Sequence, residues 1–404
     1  MKIAYLHQYF KRPDENGGTR SYDLAKSFVK SGHEVEIITT TSEAIGFEKS
    51  KWKIIELDGI KVHYLYLPYD NSFSFAKRSW TFVLFLWHSF RKLLSIKSDF
   101  ILATSTPLTI GIPVLLKKCL YKTPYIFEVR DVWPEAVIAI GAIRNKMMQK
   151  MLYGLEKLVY KNAVAIVPLS TDMQRSIVSR FPQFKDKTNI VIENIAEVNR
   201  FQNTTDKIGL QEIIGFEPRF SVLYAGTFGR VNGVHKVIDL AEKTLKLDHR
   251  LVFFLVGSGA EKEAVIQLAK DKEVLGKNIF ILDSISKREL PLWYNTVSMG
   301  SSFVIDIPAL WANSANKFFD TLAAGKPILI NHEGWQADMI RSKNIGYVLP
   351  FKITDKVAQE FVDYSKSNLL CTKQGEYALG LAKEKYSLET ATQNYLKVFS
   401  KVGI

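Results

Sequence analysis

Cysteine is nearly absent from this chain. Cys119 and Cys371 are the only two in 404 residues and lie far apart in sequence, so neither a disulfide framework nor a Cys-x-x-Cys metal site is available, and a reducing cytoplasm is the natural compartment. Long apolar runs are missing as well: none reaches the roughly 20 residues that span a bilayer. The short apolar stretch after Lys2 meets His7, Gln8, Lys11 and Arg12 too soon for the core of a signal peptide, so Lys2–Leu6 reads as a first β-strand. Acidic residues are in deficit, 41 Asp and Glu against 54 Lys and Arg, a formal net charge of +13. That balance favours an anionic partner: nucleic acid, anionic lipid or a phosphorylated substrate. Against nucleic acid, the lysines are dispersed, and no helix-turn-helix, finger or ribonucleoprotein pattern stands out. No Asp-x-Asp occurs near a strand end, so no obligatory metal or cofactor is expected.

With 47% hydrophobic residues, the chain can bury more than one core, and its length favours two domains. Lys2–Leu6, a Gly17-Gly18 loop, a helix-like Ser21–Lys30 stopped by Gly32 and an alternating strand from His33 to Ile38 make a β–α–β unit, hence a parallel sheet. Phe100–Ala103, Tyr125–Val129 and Ala163–Pro168 read as further strands. Periodicity fades from Val198 to Arg219, where the linker is placed. The grammar then restarts with strands at Ser221–Ala225, Leu251–Val256 and Ile279–Leu282, each of the first two followed by a glycine turn and a helix. The expectation is an α/β protein of two Rossmann-like domains facing across a cleft, over 1–200 and 201–386. The amphipathic Leu388–Lys401 lies within a third segment, 387–404, that crosses back to the first domain.

The segment from Asn316 to Ile330 looks like a helix start, a Gly325 stop and a buried strand. Phe318, Phe319, Leu322 and Ala323 share one face and turn Asp320 to another side. A helix N-terminus suits a diphosphate, Lys317 adds a full charge, and a carboxylate one turn in can accept from ribose hydroxyls. The plainer alternative is a surface Asp on an ordinary helix.

A second segment, Trp80 to Trp87 with Phe82 and Phe85 inside it and Arg91 and Lys92 beyond, has two readings. It is either an interfacial helix on an anionic membrane or a buried helix covering a sheet with solvated basic ends.

Five motifs in order, His7-Gln8-Tyr9-Phe10 with Gly17-Gly18-Thr19-Arg20, Val129 to Glu135, Tyr224 to Gly229, Val256 to Gly259 and Asn316 to Pro327, resemble the retaining glycosyltransferases of family 4. Those enzymes have the GT-B fold. More narrowly the set resembles the bacterial O-antigen and capsule enzymes of the L-fucosamine-transferase type. The resemblance implies transfer of a sugar, an N-acetylated hexosamine such as N-acetyl-L-fucosamine, from a UDP-sugar with retained configuration. The acceptor would be a polyprenyl-diphosphate-linked saccharide, held by the first domain at the cytoplasmic face of the plasma membrane, with the protein peripheral on an anionic surface.

Under that resemblance Gly17 and Gly18 let backbone approach the diphosphate or sugar, and Gly257, Ser258 and Asn316 join the donor site. Thr227 and Asn232 stand where the family carries a basic pair, leaving Arg230 and Lys317, or else backbone N–H groups and a metal, to compensate the leaving group. Asp320 matches the second acid of the family's Glu-x7-Glu, and Ala312 replaces the first. Arg130 and Asp131 are placed at the reacting centre, with a structural ion pair as the alternative, while His7, Arg20 and Glu135 are assigned to the acceptor. The departing phosphate itself helps deprotonate the acceptor, so no protein nucleophile is required. The rivals are a UDP-sugar 2-epimerase of similar architecture, whose motif pattern differs, and a non-enzymatic basic protein that binds membrane or nucleic acid.

Overall fold

The strands are continuous apolar runs because both faces of each sheet are covered. In Leu251–Val256 every residue is buried, and alternate side chains enter different cores: Val252, Phe254 and Val256 join one, Leu251, Phe253 and Leu255 the other. That is the signature of a parallel sheet packed on two sides. The computed structural model describes residues 1–15, 17–43, 51–68, 75–188, 190–401 and 403, and of 75–79 the backbone alone.

Two compact units result. The first comprises Met1–Pro13, Gly17–Glu193 and Leu388–Ile404, and Asn194–Ser387 belongs to the second. The first unit runs β1 (Lys2–Leu6), α1 (Arg20–Lys30), β2 (Glu34–Thr41), β3 (Trp52–Leu57), β4 (Ile60–Tyr66), α2 (Phe75–Ser95), β5 (Phe100–Thr104), α3 (Gly111–Tyr121), β6 (Tyr125–Val129), α4 (Glu135–Ala139), α5 (Lys146–Asn162), β7 (Ala165–Pro168) and α6 (Thr171–Arg180). Its sheet order is β3-β4-β2-β1-β5-β6-β7, parallel except for the β3–β4 hairpin. The second unit runs α7 (Val198–Gln202), α8 (Leu210–Ile214), β8 (Phe220–Ala225), α9 (His235–Leu245), β9 (Leu251–Val256), α10 (Lys262–Asp271), β10 (Ile279–Leu282), α11 (Leu290–Thr296), β11 (Met299–Ser302), α12 (Pro308–Trp311), α13 (Asn316–Ala323), β12 (Ile328–Ile330), α14 (Trp335–Lys343), β13 (Gly346–Val348), α15 (Asp355–Ser365) and α16 (Asn368–Lys385). Its order is β10-β9-β8-β11-β12-β13, all parallel.

Each unit is therefore Rossmann-like. The strand order reverses between β1 and β5 in the first and between β8 and β11 in the second, and the ends of those strands are where such sheets take ligands.

The final helix, α17 (Leu388–Lys401), belongs to the first unit. There Phe28 of α1 meets Tyr395 and Phe399 edge-on with ring centroids 5.7 and 5.3 Å apart, and Phe399 lies 4.8 Å from Phe100. The first unit ends at Glu193 rather than near 200. The polar stretch read as a linker instead holds α7 and α8, whose Phe201 and Leu210 are buried in the second unit's core. Single-turn helices are too short to show a 3.6-residue period.

Helix α2 has one face in the core and the other at the surface. Phe85 is fully buried in the first unit's core, which corrects its assignment to a membrane face, whereas Trp80, Trp87 and Arg91 are exposed. Phe82 and Lys92 are half-buried, and the Lys92 ammonium lies 4.8 Å from the Trp52 ring centroid. No helix among the described residues is long and apolar enough to cross a membrane.

Candidate active site

In the second unit the candidate site is built around the ends of β8 and β9 and the start of α13. The loops after β8 and β9 are zipped together by backbone: Gly226 N–H donates to Val256, Phe228 N–H to Ser258 and Glu261 N–H to Phe228, at 2.9, 2.8 and 2.9 Å. This explains the glycines. A Cβ on Gly257 would lie 1.9 Å from the Gly226 carbonyl oxygen, and one on Gly259 would lie 2.5 Å from that of Phe228. Of the two residues expected at the donor, Ser258 clamps the neighbouring loop through its carbonyl, whereas Gly257 N–H donates to the Leu282 carbonyl at 3.2 Å. Thr227 and Arg230 are exposed on that loop, and the Thr227 carbonyl accepts from Tyr224 Oη and Asn232 Nδ2 at 2.7 and 2.8 Å.

Lys317 crosses from α13 onto this loop. Its Nζ lies 5.1 Å from the Tyr224 ring centroid, a cation–π distance. A Cβ on Gly226 would come within 2.7 Å of Lys317 Cε, so a side chain there would push the end of the lysine aside. Burial lowers the Lys317 ammonium to about 8, with Asp320 opposing. One turn on, burial raises the Asp320 carboxyl to about 7, offset by the positive charge of Lys287. Lys287 is itself held at 2.6 Å by Glu197.

The N-cap of α13 is Ala315, which offers no side-chain oxygen to the helix's first N–H groups. Asn316 is used structurally: its Oδ1 accepts from Asn194 Nδ2 at 2.7 Å, and the same amide donates to the Ser314 carbonyl at 2.6 Å. The preceding loop is pinned where Trp335 Nε1 donates to the Asn313 carbonyl at 2.9 Å. Sequence alone gives no role to Asn194, Glu197 or Lys287, and Tyr224 enters only as the first residue of a motif. Tyr224 carried one cue, its place two residues before a strand-end glycine; the others are distant in sequence and carried none.

In the first unit a second constellation gathers at the ends of β1, β5 and β6. His7 is buried, with Nδ1 2.9 Å from Ser21 Oγ, and Arg130 Nη1 is directed at Nε2 from 3.5 Å. Burial and the Arg130 charge push its imidazole down to about 3, so His7 is neutral across the physiological range. With Nε2 accepting, Nδ1 carries the hydrogen toward Ser21. Arg130 N–H donates to Ser105 Oγ at 2.9 Å, and Asp131 Oδ2 accepts from Thr106 Oγ1 at 2.9 Å. Burial raises the Asp131 carboxyl. Arg130 and Asp131 thus turn to different partners. The turn before α1 relies on Gly17, whose φ is +130°, a region open to glycine, and Gly18 and Thr19 then lead into the helix.

Two acceptor assignments are corrected. Arg20 is 3% exposed. Its guanidinium bonds Glu128 Oε2 through Nε and Nη2 at 3.1 and 3.0 Å, and the carbonyls of Glu193 and Ile192 at 2.5 and 3.0 Å. Thr104 and Tyr395 also donate to Glu128. Each nitrogen of the buried guanidinium thus has a partner, as a charge too costly to bury unpaired requires. Glu135 accepts from Ser176 Oγ at 2.7 Å and pairs with Arg180 Nε at 3.2 Å, anchoring α4 to α6.

Comparison with known proteins bears on both units. Residues 17–191 match the glycosyl transferase 4-like domain, and 210–380 match the glycosyl transferases group 1 family. Spore coat protein SA of Bacillus subtilis is 20% identical over 284 residues, 66% of this chain and 73% of that protein. The uncharacterized glycosyltransferase MJ1607 of Methanocaldococcus jannaschii is 22% identical over 367 residues, 89% of this chain and 87% of the relative. Among solved structures, Anabaena Alr3699/HepE in complex with UDP and glucose superposes with a TM-score of 0.70 at 14% identity, covering 99% of this chain and 100% of that one. With both domains matched in order and both Rossmann-like units in place, the chain belongs to the two-domain GT-B glycosyltransferases.

Proposed function

We propose that this glycosyltransferase takes its sugar from a UDP-sugar and transfers it, with retention, to a lipid-linked saccharide in O-antigen or capsule assembly at the cytoplasmic face of the plasma membrane. The observation that carries the donor half is Lys317 laid over Gly226 and Tyr224 with Asp320 one turn behind it. An ammonium held in a recess beside uncapped helix N–H groups suits a diphosphate, and the carboxylate one turn on suits a ribose diol. A structural relative solved with UDP and glucose supports the same donor class.

As the glycosidic bond to UDP breaks, charge grows on the β-phosphate, and Lys317 is the side chain placed to compensate it. The leaving phosphate takes the acceptor proton on the same face. In the first unit neutral His7 and Arg130 offer the acceptor a hydrogen-bonding rim, and Asp131 a carboxylate. An N-acetylated hexosamine such as N-acetyl-L-fucosamine is the proposed donor sugar, on the strength of the motif set alone.

Calorimetric titration with UDP, GDP and a panel of UDP-sugars tests the donor. Nucleotide release with and without a polyprenyl-diphosphate-linked sugar then tests the acceptor. Selective UDP binding with acceptor-dependent release is the expected result, and a folded sample that binds no nucleotide would sink the reading.

A further inference from the structure

Ten of the seventeen large apolar side chains exposed on the described surface stand on α2, α3 and α5. These three helices cover one face of the first unit's sheet, with Phe85, Val114 and Val159 in a shared core. On α2, Trp80, Val83 and Trp87 are 61%, 50% and 56% exposed and lie at i, i+3 and i+7, with exposed Arg91 completing the stripe at i+11. On α3, Leu116, Leu120 and Tyr121 are exposed.

On α5, Met147, Met151 and Leu158 fall at i, i+4 and i+11, one line along the helix, and Met147 is 74% exposed. Lys146, Lys150, Lys157 and Lys161, all exposed, run at the same spacing beside them.

The charge on this face has one sign. The three helices contain a single carboxylate, Glu156, which is fully buried and paired with Arg180. The layer is also fixed. Lys117 of α3 is buried and donates to the Leu93 and Ile96 carbonyls at 2.7 and 3.0 Å, tying the end of α2 to α3. Exposed Trp and Met between lysines, without an exposed acid, suit a surface that is anionic at its headgroups and apolar just below them.

We propose that the α2–α3–α5 face docks on an anionic phospholipid bilayer, with the methionines of α5 inserting and its lysines reading the headgroups. This deepens the lipid-linked-acceptor reading by naming the docking face, and it extends beyond the tryptophan segment to a helix with no tryptophan at all. Co-sedimentation with phosphatidylcholine vesicles, with and without phosphatidylglycerol, tests it, alongside UDP calorimetry on the same samples.

Binding is expected only with phosphatidylglycerol and is expected to weaken with salt. Each lysine near such a surface contributes about fivefold, so the K146Q/K150Q/K157Q variant is expected to bind about a hundredfold more weakly. M147S/M151S and W80S/W87S are each expected to reduce binding, with UDP affinity unchanged. Vesicle binding without UDP binding would leave the docking face standing and remove the donor assignment. Undiminished binding by the α5 variants would overturn the proposal, as would a concentration-dependent dimer in light scattering that M147S/M151S dissociates, since the face would then be covered by a second copy.

Discussion

Lys317 and Asp320, whose ordinary ionisation ranges are far apart, are brought to about 8 and about 7 on the same helix. Burial moves each toward its neutral form. A ligand with a diphosphate and a ribose needs the opposite, Lys317 charged and Asp320 ionised. UDP affinity is therefore expected to rise as pH climbs through about 7 and to fall as it passes about 8, a profile calorimetry at several pH values would read. The raised carboxyl also carries a stability consequence. A group with its folded value above its unfolded one favours the protonated fold, so stability is lost as pH rises through about 7. Asp320→Asn is expected to raise the melting temperature at pH 8 and to raise it distinctly less at pH 5, where only the first part of the loss has occurred, while UDP binding falls at least tenfold. A melting temperature lowered at both pH values would show that Asp320 holds the fold rather than the ligand. Arg20 behaves in the reverse sense. Its charge holds Glu128 down to about 2, so the pair's stabilisation is present above the ordinary carboxylate range and lost as pH falls toward about 2. Arg20→Met should cost about 3–5 kcal/mol at neutral pH by leaving Glu128 buried without its partner. In urea titrations that deficit should shrink as pH falls and Glu128 takes a proton. A variant that folds normally but binds acceptor poorly would restore the acceptor assignment.

At the scale of elements, the two glycine loops after β8 and β9 act as one object. Gly257→Ala is expected to part them, since the new methyl would meet the Gly226 carbonyl, and with them the seat of Lys317. UDP affinity should fall more than tenfold, with the melting temperature lowered by several degrees; unchanged UDP affinity would detach the second loop from the site. This pairing of loops was invisible in sequence, as was the β3–β4 hairpin. What was legible followed from local pattern. Lys2–Leu6, Tyr125–Val129, Leu251–Val256, Ile279–Leu282 and Leu388–Lys401 form with the bounds read from sequence, because each is an apolar run or amphipathic stripe ended by turn residues. Lys317 and Asp320 could be paired in advance because one helix carries both. The role of Arg20 could not, since Glu128 and Tyr395 lie in other elements more than a hundred residues away. The exposed line along α5 was open to a helical-period count, yet it is easily taken for a core stripe: only the sheet's position shows that Val159 and Tyr160 face inward and Met147, Met151 and Leu158 do not.

At the scale of the whole molecule the chain leaves the first unit at Glu193 and returns at Leu388, so all of the second unit except Asp14–Asn16 lies in one segment. Ala196 N–H donates to the Tyr386 carbonyl at 2.8 Å, closing that segment's two ends on each other. Tyr224, Gly226, Lys317, Asp320 and Lys287 all lie within it. Ending the chain after Ser387 should therefore affect the units unequally. The first unit would lose Phe399 from its ring contacts with Phe28 and Phe100 and Tyr395 from Glu128. Removing a buried aromatic costs about 3–5 kcal/mol, and two such losses are comparable to the stability of a domain. Differential scanning calorimetry of the shortened protein is expected to show one surviving transition, which UDP shifts upward as mass action requires. Titration should give a UDP affinity within about threefold of the full chain's, and acceptor-dependent release should be absent. Two retained transitions would mean that α17 is dispensable to the first unit. A surviving transition that UDP leaves unmoved would mean that the donor site needs groups outside Asn194–Ser387.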